Sequence, residues 1–140
     1  MNLFVNCSNH PSRGWSDSQR GAAEALGQIV EVPFPYIPPD LLPSGVSAIA
    51  SQLYEQFLRL AGPYEEVTIH MMGETSLVAT VLDQHLVTHR EPSEQITFVV
   101  STNRREAVVR EGTTRYQYSW VAFRPVPCHA WLDKEYTGAN

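Results

Sequence analysis

The sequence has few cysteines and no long apolar run. Its two cysteines, Cys7 and Cys128, lie near opposite ends of the 140 residues and form no CxxC or Cys/His cluster. A reduced chain is therefore the simplest interpretation. No apolar run approaches the roughly 20 residues that a membrane span needs, and the N-terminus lacks the apolar region of a signal peptide. We expect a cytoplasmic protein with no membrane partner.

Positive charge is also scarce. The chain has 15 acidic and 10 basic side chains and a formal net charge of −5. Long nucleic acids are bound mainly by neutralising their phosphates, so this balance argues against a long nucleic acid as the partner. It leaves open a small phosphorylated ligand held by a few local arginines.

The sequence contains no pattern typical of a metal site or of a serine or cysteine hydrolase. His85 and His89 are four residues apart, but no third ligand accompanies them, so we expect a solvated helical face. Ser12 lies in no GxSxG elbow, and Cys7 has no catalytic setting. We therefore expect no metal and no cofactor.

The composition favours one globular domain, since 43% of the residues are hydrophobic and 18% are charged. A chain of this length buries a sizeable core without disulfides. We assign residues 1–125 to a single domain and residues 126–140 to a C-terminal extension, for which the sequence predicts no structure.

Short apolar runs alternate with helical patterns along the chain. We predict strands at residues 2–7, 28–34, 67–71 and 96–100, and helices from Ser16 to Gly27, from about Ser44 to Gly62 and from Leu77 onward. Each crossover makes its strands parallel, and the short connections predict the strand order 2-1-3-4. The class is α/β, a Rossmann-like three-layer sandwich with a mostly parallel sheet.

The C-terminal part predicts an antiparallel β-hairpin. Residues 106–110 and 115–123 flank the turn formers of 111–114. Strict alternation places Tyr116, Tyr118, Trp120 and Ala122 on one face and Phe123 on the other. Both faces carry bulky side chains, so we expect the hairpin to pack either on its own sheet or on a second subunit.

Polar residues follow the first, third and fourth predicted strands, whose carboxyl ends meet at one edge of a parallel sheet. The candidate site residues are Ser8, Asn9, His10, Ser12, Arg13, Gly73, Glu74, Thr75, Ser76, Ser101, Thr102, Asn103, Arg104 and Arg105. Their hydroxyls and guanidiniums favour an anionic, phosphate-bearing ligand. Solvated loops are the competing interpretation. His70, inside an apolar run, is expected to be a hydrogen-bonded interior residue.

Four motifs together resemble a known family. They are Asn-Cys-Ser-Asn-His-Pro-Ser-x-x-Trp-Ser from Asn6, Val-x-Phe-Pro from Val32, His-x-Met-Gly-Glu-Thr from His70 and Ser-Thr-Asn-Arg-Arg from Ser101. This set resembles small stand-alone CRISPR-associated proteins similar to CARF (CRISPR-associated Rossmann fold) domains. Such domains bind cyclic oligoadenylates, the second messengers of type III CRISPR defence.

The resemblance implies a homodimer whose two crevices join into one pocket for a ring-shaped ligand. Small members of this kind either sequester the messenger or cleave it without metal, as ring nucleases, by attack of a ribose 2′-hydroxyl on the neighbouring phosphate. In this chain His10 would be the acid or base, and Arg104 or Arg105 would stabilise the charged intermediate.

Two other functions stay open on the residues alone. One is a metabolic enzyme that acts on a mononucleotide or phosphosugar in the same crevice. The other is a non-catalytic interaction subunit whose working surface is the aromatic hairpin around Tyr116, Tyr118 and Trp120.

Overall fold

The structure, a computed structural model, describes residues 1–88 and 95–126. Its elements are β1 (Asn2–Ser8), a 3-10 turn (Ser12–Gly14), α1 (Asp17–Leu26), β2 (Gln28–Glu31), α2 (Pro43–Ala61), β3 (Glu66–Met72), α3 (Thr75–Thr88), β4 (Ile96–Arg110) and β5 (Thr113–Pro125). The predicted α/β class is confirmed. His89, Cys128 and the predicted extension beyond residue 126 lie outside the described residues.

The five strands form one sheet in the order β2-β1-β3-β4-β5. The pairs β1–β2, β1–β3 and β3–β4 are parallel, and β4–β5 is antiparallel. The predicted order of the first four strands is confirmed, because each helical crossover returns the chain to the same end of the sheet.

Apolar side chains on both faces of the sheet form the core. Leu3, Val5 and Ile69 face α2 and α3, and they pack with Phe57, which is fully buried. The opposite face carries Phe4, which packs against Ala23 of α1. Burying one such large side chain stabilises the fold by about 1.5–3 kcal/mol. The buried strands therefore hold the sheet in place, and with it the edge from which the loops leave.

The helix boundaries follow their sequence signals. The Ser16 hydroxyl accepts the backbone N–H of Gln19 at 3.3 Å, the N-cap bond typical of a serine followed three residues later by glutamine. Gly27 ends α1 where a Cβ would lie 2.7 Å from the backbone of Asn2, so this position requires glycine for the close approach to β1. Pro43 opens α2 one residue earlier than predicted, where its missing N–H costs nothing.

The fourth strand is longer than predicted. Residues 101–105, expected to form a polar loop, continue β4 without a break as far as Arg110, because β5 supplies their backbone hydrogen-bond partners. We call residues 103–120 the arm. β3 pairs with β4 only at residues 96–99, so the arm projects as a two-stranded ribbon whose residues are mostly exposed.

A bulge at the root of the arm changes which residues share a face. Thr102 pairs with Ala122, and the next pair, Asn103 with Trp120, leaves out Val121. Trp120 and Phe123 therefore lie on the same face, with ring centroids 4.9 Å apart. The predicted assignment of these two aromatics to opposite faces is wrong, because it assumed unbroken alternation.

The arm turns through two residues. Glu111 and Gly112 have φ values of 51° and 76°, the left-handed pair of a type I′ hairpin turn. The turn is thus two residues shorter than the predicted four. Within the described part of the chain, no helix combines the length and apolarity needed to cross a membrane.

Candidate functional site

The loops that follow β1 and β3 lie side by side. The two strands pair in parallel along their whole length, ending with Ser8 opposite Met72. This register places the loop of residues 9–15, which we call the His10 loop, next to the turn of residues 73–76. Asn9, His10 and Arg13 are exposed there, as are the four residues of the turn. The predicted convergence of these two segments at one sheet edge is what the structure describes.

Hydrogen bonds fix the backbone of the His10 loop. The carbonyl oxygen of His10 accepts from Asn6 Nδ2 at 3.0 Å and from Trp15 Nε1 at 3.1 Å. The N–H of Ser12 donates to Glu31 Oε1 at 2.9 Å. Ser12 is buried, so its predicted role as a ligand contact is replaced by an anchoring one.

Beneath this loop lies a polar chain of side chains, which we name the Asn6–His70–Ser101 chain. His70 Nδ1 is 2.9 Å from Asn6 Oδ1, and His70 Nε2 is 2.8 Å from Ser101 Oγ. Asn6 and His70 are 0% and 2% exposed. The prediction that His70 is a hydrogen-bonded interior residue is confirmed.

The surroundings of His70 keep it neutral near pH 7. Burial, reinforced by His10, lowers the pKa of His70 to about 4, while Glu31 opposes the shift. The rings of Trp15 and Phe123 pack edge-on against the imidazole at 5.5 and 5.2 Å.

Glu74, in the turn after β3, accepts hydrogen bonds at the N-terminus of α3. Glu74 Oε2 accepts the hydroxyl of Ser76 at 2.6 Å and the N–H of Leu77 at 2.9 Å, and these bonds lower the pKa of the Glu74 carboxyl. A carboxylate thus occupies the position where an unpaired helix N-terminus would receive a phosphate. Helix α3 begins at Thr75, two residues earlier than predicted.

Packing against Phe34 explains why residue 73 is a glycine. A Cβ at this position would lie 2.5 Å from the ring of Phe34, which leaves the sheet edge after β2. The glycine of the His-x-Met-Gly motif therefore accommodates the phenylalanine of the Val-x-Phe-Pro motif. Thr75 and Ser76 remain exposed beside it.

The candidates on β4 are split between the site and the arm. Ser101 is half-buried in the polar chain, and Thr102 donates to the carbonyl of Ala122 at 3.3 Å. Asn103, Arg104 and Arg105 are exposed on the arm. At about 3.3 Å per residue, the two arginines lie about 10–13 Å along the strand from Ser101. The expected loop that would bring them to His10 is absent from the described residues.

Arg105 and Arg104 point to opposite sides of the ribbon, since successive side chains in a strand alternate. The Arg105 guanidinium lies 3.7 Å from the ring centroid of Tyr116, a cation–π contact on the aromatic side of the arm. The two arginines therefore do not form a joint phosphate clamp within one chain.

Other chemistries find little support in the described residues. No group of three or more His, Cys, Asp or Glu side chains within residues 1–88 and 95–126 is placed to hold a metal. The ring of His85 is 2.8 Å from the Tyr54 hydroxyl. Burial raises the pKa of Cys7 to about 12, so this thiol stays protonated and unreactive.

Sequence reasoning missed Asn6, Glu31 and Trp120 as parts of the site. Asn6 offered a signal, since it is the one amide inside the apolar run Leu3–Cys7. Glu31 and Trp120 offered none, because each reaches the site from another strand. No family model matches the chain, and comparisons with curated proteins and with solved structures returned no match.

Proposed function

We propose that this chain, with a Rossmann-like fold, binds a cyclic oligoadenylate at the sheet edge where the His10 loop lies beside residues 73–76. The observation that carries the proposal is the full-length pairing of β1 with β3, which sets these two exposed polar segments next to each other. Ligands of open α/β sheets bind at such carboxyl edges. Two of the four motifs that resemble CARF-related proteins, those from Asn6 and from His70, fall on the same two segments.

Arg13 is the phosphate contact in this proposal. It is exposed on the 3-10 turn, and it forms no ion pair with any carboxylate of the described residues. A free guanidinium offers two parallel N–H donors to phosphate oxygens. Thr75 and Ser76 add hydroxyl donors from the neighbouring turn, whereas Glu74 repels an anion and limits how close a phosphate comes to α3.

A homodimer completes the site, because a ring-shaped ligand is matched by two copies of one edge. The arm supports this step: Val109, Tyr116 and Tyr118 are 68%, 52% and 69% exposed on it. The outer edge of β5 is also a long unpaired edge within the described residues, of the kind that pairs with another chain.

Charge supports the same assembly. The arm, residues 103–120, carries four arginines and two glutamates, so its net charge is +2, which leaves −7 for the rest of a chain of net −5. A basic arm on an acidic body favours contact between the arm of one copy and the body of another.

Ring opening is the catalytic form of this proposal. A ribose 2′-hydroxyl attacks the adjacent phosphorus, the P–O5′ bond breaks, and the products carry a 2′,3′-cyclic phosphate and a 5′-hydroxyl. His10 takes the proton of the 2′-hydroxyl or gives one to the leaving oxygen. Arg104 and Arg105 lie on the arm and point to opposite sides of it, so one of the two stabilises the phosphorane from the arm of a second copy.

The test is binding of cyclic tri-, tetra- and hexa-adenylate in the presence of EDTA, followed by mobility shift and by chromatography of products. Arg13→Ala is expected to weaken binding about ten- to hundredfold, since hydrogen bonds to charged groups are worth about 1.5–3 kcal/mol. The control is Arg59→Ala, an exposed arginine in the last turn of α2, toward the opposite edge of the sheet.

The outcomes distinguish a ring nuclease, a sequestering protein and a mononucleotide enzyme. Linear products that disappear in His10→Ala would establish the ring nuclease, and binding without products would establish sequestration. If no ring binds, the proposal fails. Displacement of a bound ring by an equal concentration of AMP would indicate instead an enzyme for mononucleotides.

The exposed aromatics of the arm favour a second candidate, a non-catalytic interaction subunit. That function predicts that Arg13→Ala leaves the activity of the protein in cells unchanged. It also predicts that Tyr118→Ser abolishes the complex with the partner protein. Parallel measurement of both variants distinguishes it from ligand binding.

A further inference from the structure

Hydrogen bonds link the root of the arm to the His10 loop without interruption. Trp120 Nε1 donates to Ser101 Oγ at 3.2 Å, and Ser101 Oγ is 2.8 Å from His70 Nε2. His70 Nδ1 is 2.9 Å from Asn6 Oδ1, and Asn6 Nδ2 donates to the carbonyl of His10 at 3.0 Å. The path crosses β5, β4, β3 and β1.

The direction of each bond is determined by its partners. Asn6 Nδ2 faces two groups that only accept, the His10 carbonyl and the Glu31 carboxylate. Asn6 Oδ1 must therefore be the atom facing His70, which fixes the imidazole proton on Nδ1. His70 Nε2 is then the acceptor of the Ser101 hydroxyl proton. Only the His70 tautomer with its proton on Nδ1 satisfies every bond of the Asn6–His70–Ser101 chain.

The last member of the chain controls the backbone of the loop. Besides bonding the His10 carbonyl, Asn6 accepts the hydroxyl of Ser8 at 2.8 Å, and Ser8 Oγ in turn accepts the N–H of His10 at 3.2 Å. Both backbone groups of His10 thus depend on Asn6, either directly or through Ser8.

We propose that Asn6, His70 and Ser101 are positioning residues that hold the His10 loop in one conformation and couple its order to the root of the arm. A protein or ligand that moves Trp120 changes the partner of Ser101, and the neutral imidazole passes that change to Asn6. The loop conformation is a property of the free chain and does not depend on the proposed function. The effect on ligand affinity rests on that function.

Ser101, His70 and Asn6 also have the connectivity of a nucleophile, its base and the residue that orients the base. Two observations favour positioning over nucleophilic attack. Ser101 Oγ already accepts from Trp120 and, at 3.5 Å, from Gln19 Nε2. His70 is 2% exposed, so it is enclosed by the protein and not open to a substrate.

The experiment compares Ser101→Ala with Thr102→Ala in the full chain. Thr102 is the next residue on β4, and its hydroxyl bonds the carbonyl of Ala122, on the face away from His70. Amide hydrogen exchange of residues 9–15 and the NMR resonance of the Trp15 indole N–H report on the loop directly, without a ligand. His70→Gln keeps a donor and an acceptor on one side chain. It should therefore preserve part of the connection between Ser101 and Asn6.

Ser101→Ala is expected to speed exchange in residues 9–15 about tenfold, the factor that loss of an ordinary hydrogen bond produces. Thr102→Ala should leave it unchanged, and His70→Gln should fall between Ser101→Ala and the parent. Exchange in Ser101→Ala equal to the parent, or an equal rise in both alanine variants, would overturn the proposal. So would stoichiometric labelling of Ser101 by a fluorophosphonate, which would show a nucleophile.

Affinity for cyclic tetra-adenylate, measured on the same variants, separates this inference from the proposed function. If the parent binds no ring, the proposed function fails, and the exchange data still decide the role of the Asn6–His70–Ser101 chain. If the parent binds, Ser101→Ala should lose affinity about tenfold relative to Thr102→Ala, and equal affinities would overturn the coupling to the ligand.

Discussion

Among single residues, Asn6 has the most exacting environment. It is fully buried, and its amide group bonds His10, Glu31, Ser8 and His70. A buried amide with all its partners present stabilises a unique arrangement, whereas removal of one partner leaves costly unsatisfied groups. The polarity of Asn6 was visible in the sequence, but its bonds to Glu31 and His70 were not, because these two partners lie on other strands.

His70 makes the stability of the fold depend on pH. Its pKa is lowered from 6.5 to about 4 in the folded chain, so the unfolded state binds the extra proton at intermediate pH. Stability is therefore fully present above about pH 6.5 and is lost as the pH falls toward 4. The loss from this group is about 3 kcal/mol at its limit.

Urea unfolding of the parent and of His70→Gln between pH 4 and 7.5 measures this contribution. The parent should lose more stability than the variant over that interval, because the glutamine does not titrate. His10 and Glu31, which face His70, are present in both proteins and cancel in the comparison. Equal pH dependence in the two proteins would contradict the assignment.

Among the elements, the turn from β3 to α3 shows how two distant motifs require each other. Gly73→Ala places a methyl group 2.5 Å from the ring of Phe34, and the overlap should destabilise the fold by about 1–3 kcal/mol. Chemical denaturation of Gly73→Ala, Phe34→Leu and the double variant measures the coupling. The double variant should be more stable than the sum of the single changes predicts.

Gly14→Ala is the matched control, because nothing lies within 4 Å of the added carbon. Strict additivity at Gly73 and Phe34, or an equal loss at Gly14, would show that the steric contact with Phe34 is not the cause.

At the scale of the whole molecule, we expect the arm to decide the oligomeric state. An exposed two-stranded ribbon is marginal by itself, and its aromatic side gains stability when a second copy covers it. We expect the parent to sediment as a dimer and Tyr116→Ser/Tyr118→Ser as a monomer. Tyr36→Ser is the control, since Tyr36 is 78% exposed on the loop between β2 and α2. A parent that is monomeric at high micromolar concentration would refute the dimer.

The sequence by itself determined the order of the elements, the parallel sheet and the shared sheet edge of the loops after β1 and β3. These depend on local signals: apolar periodicity, the Ser16 cap and the short crossovers. A crossover fixes strand direction, and strand direction fixes which loops share an edge.

Tertiary structure alone decided the rest. The hydrogen bonds from His70 to Asn6 and to Ser101 join residues 64 and 31 positions apart, which no local pattern encodes. The course of residues 101–105 depended on β5, because a polar segment continues as a strand only when a neighbouring strand supplies its hydrogen bonds. Arg104 and Arg105 therefore lie on the arm, while Ser101 lies beside His70.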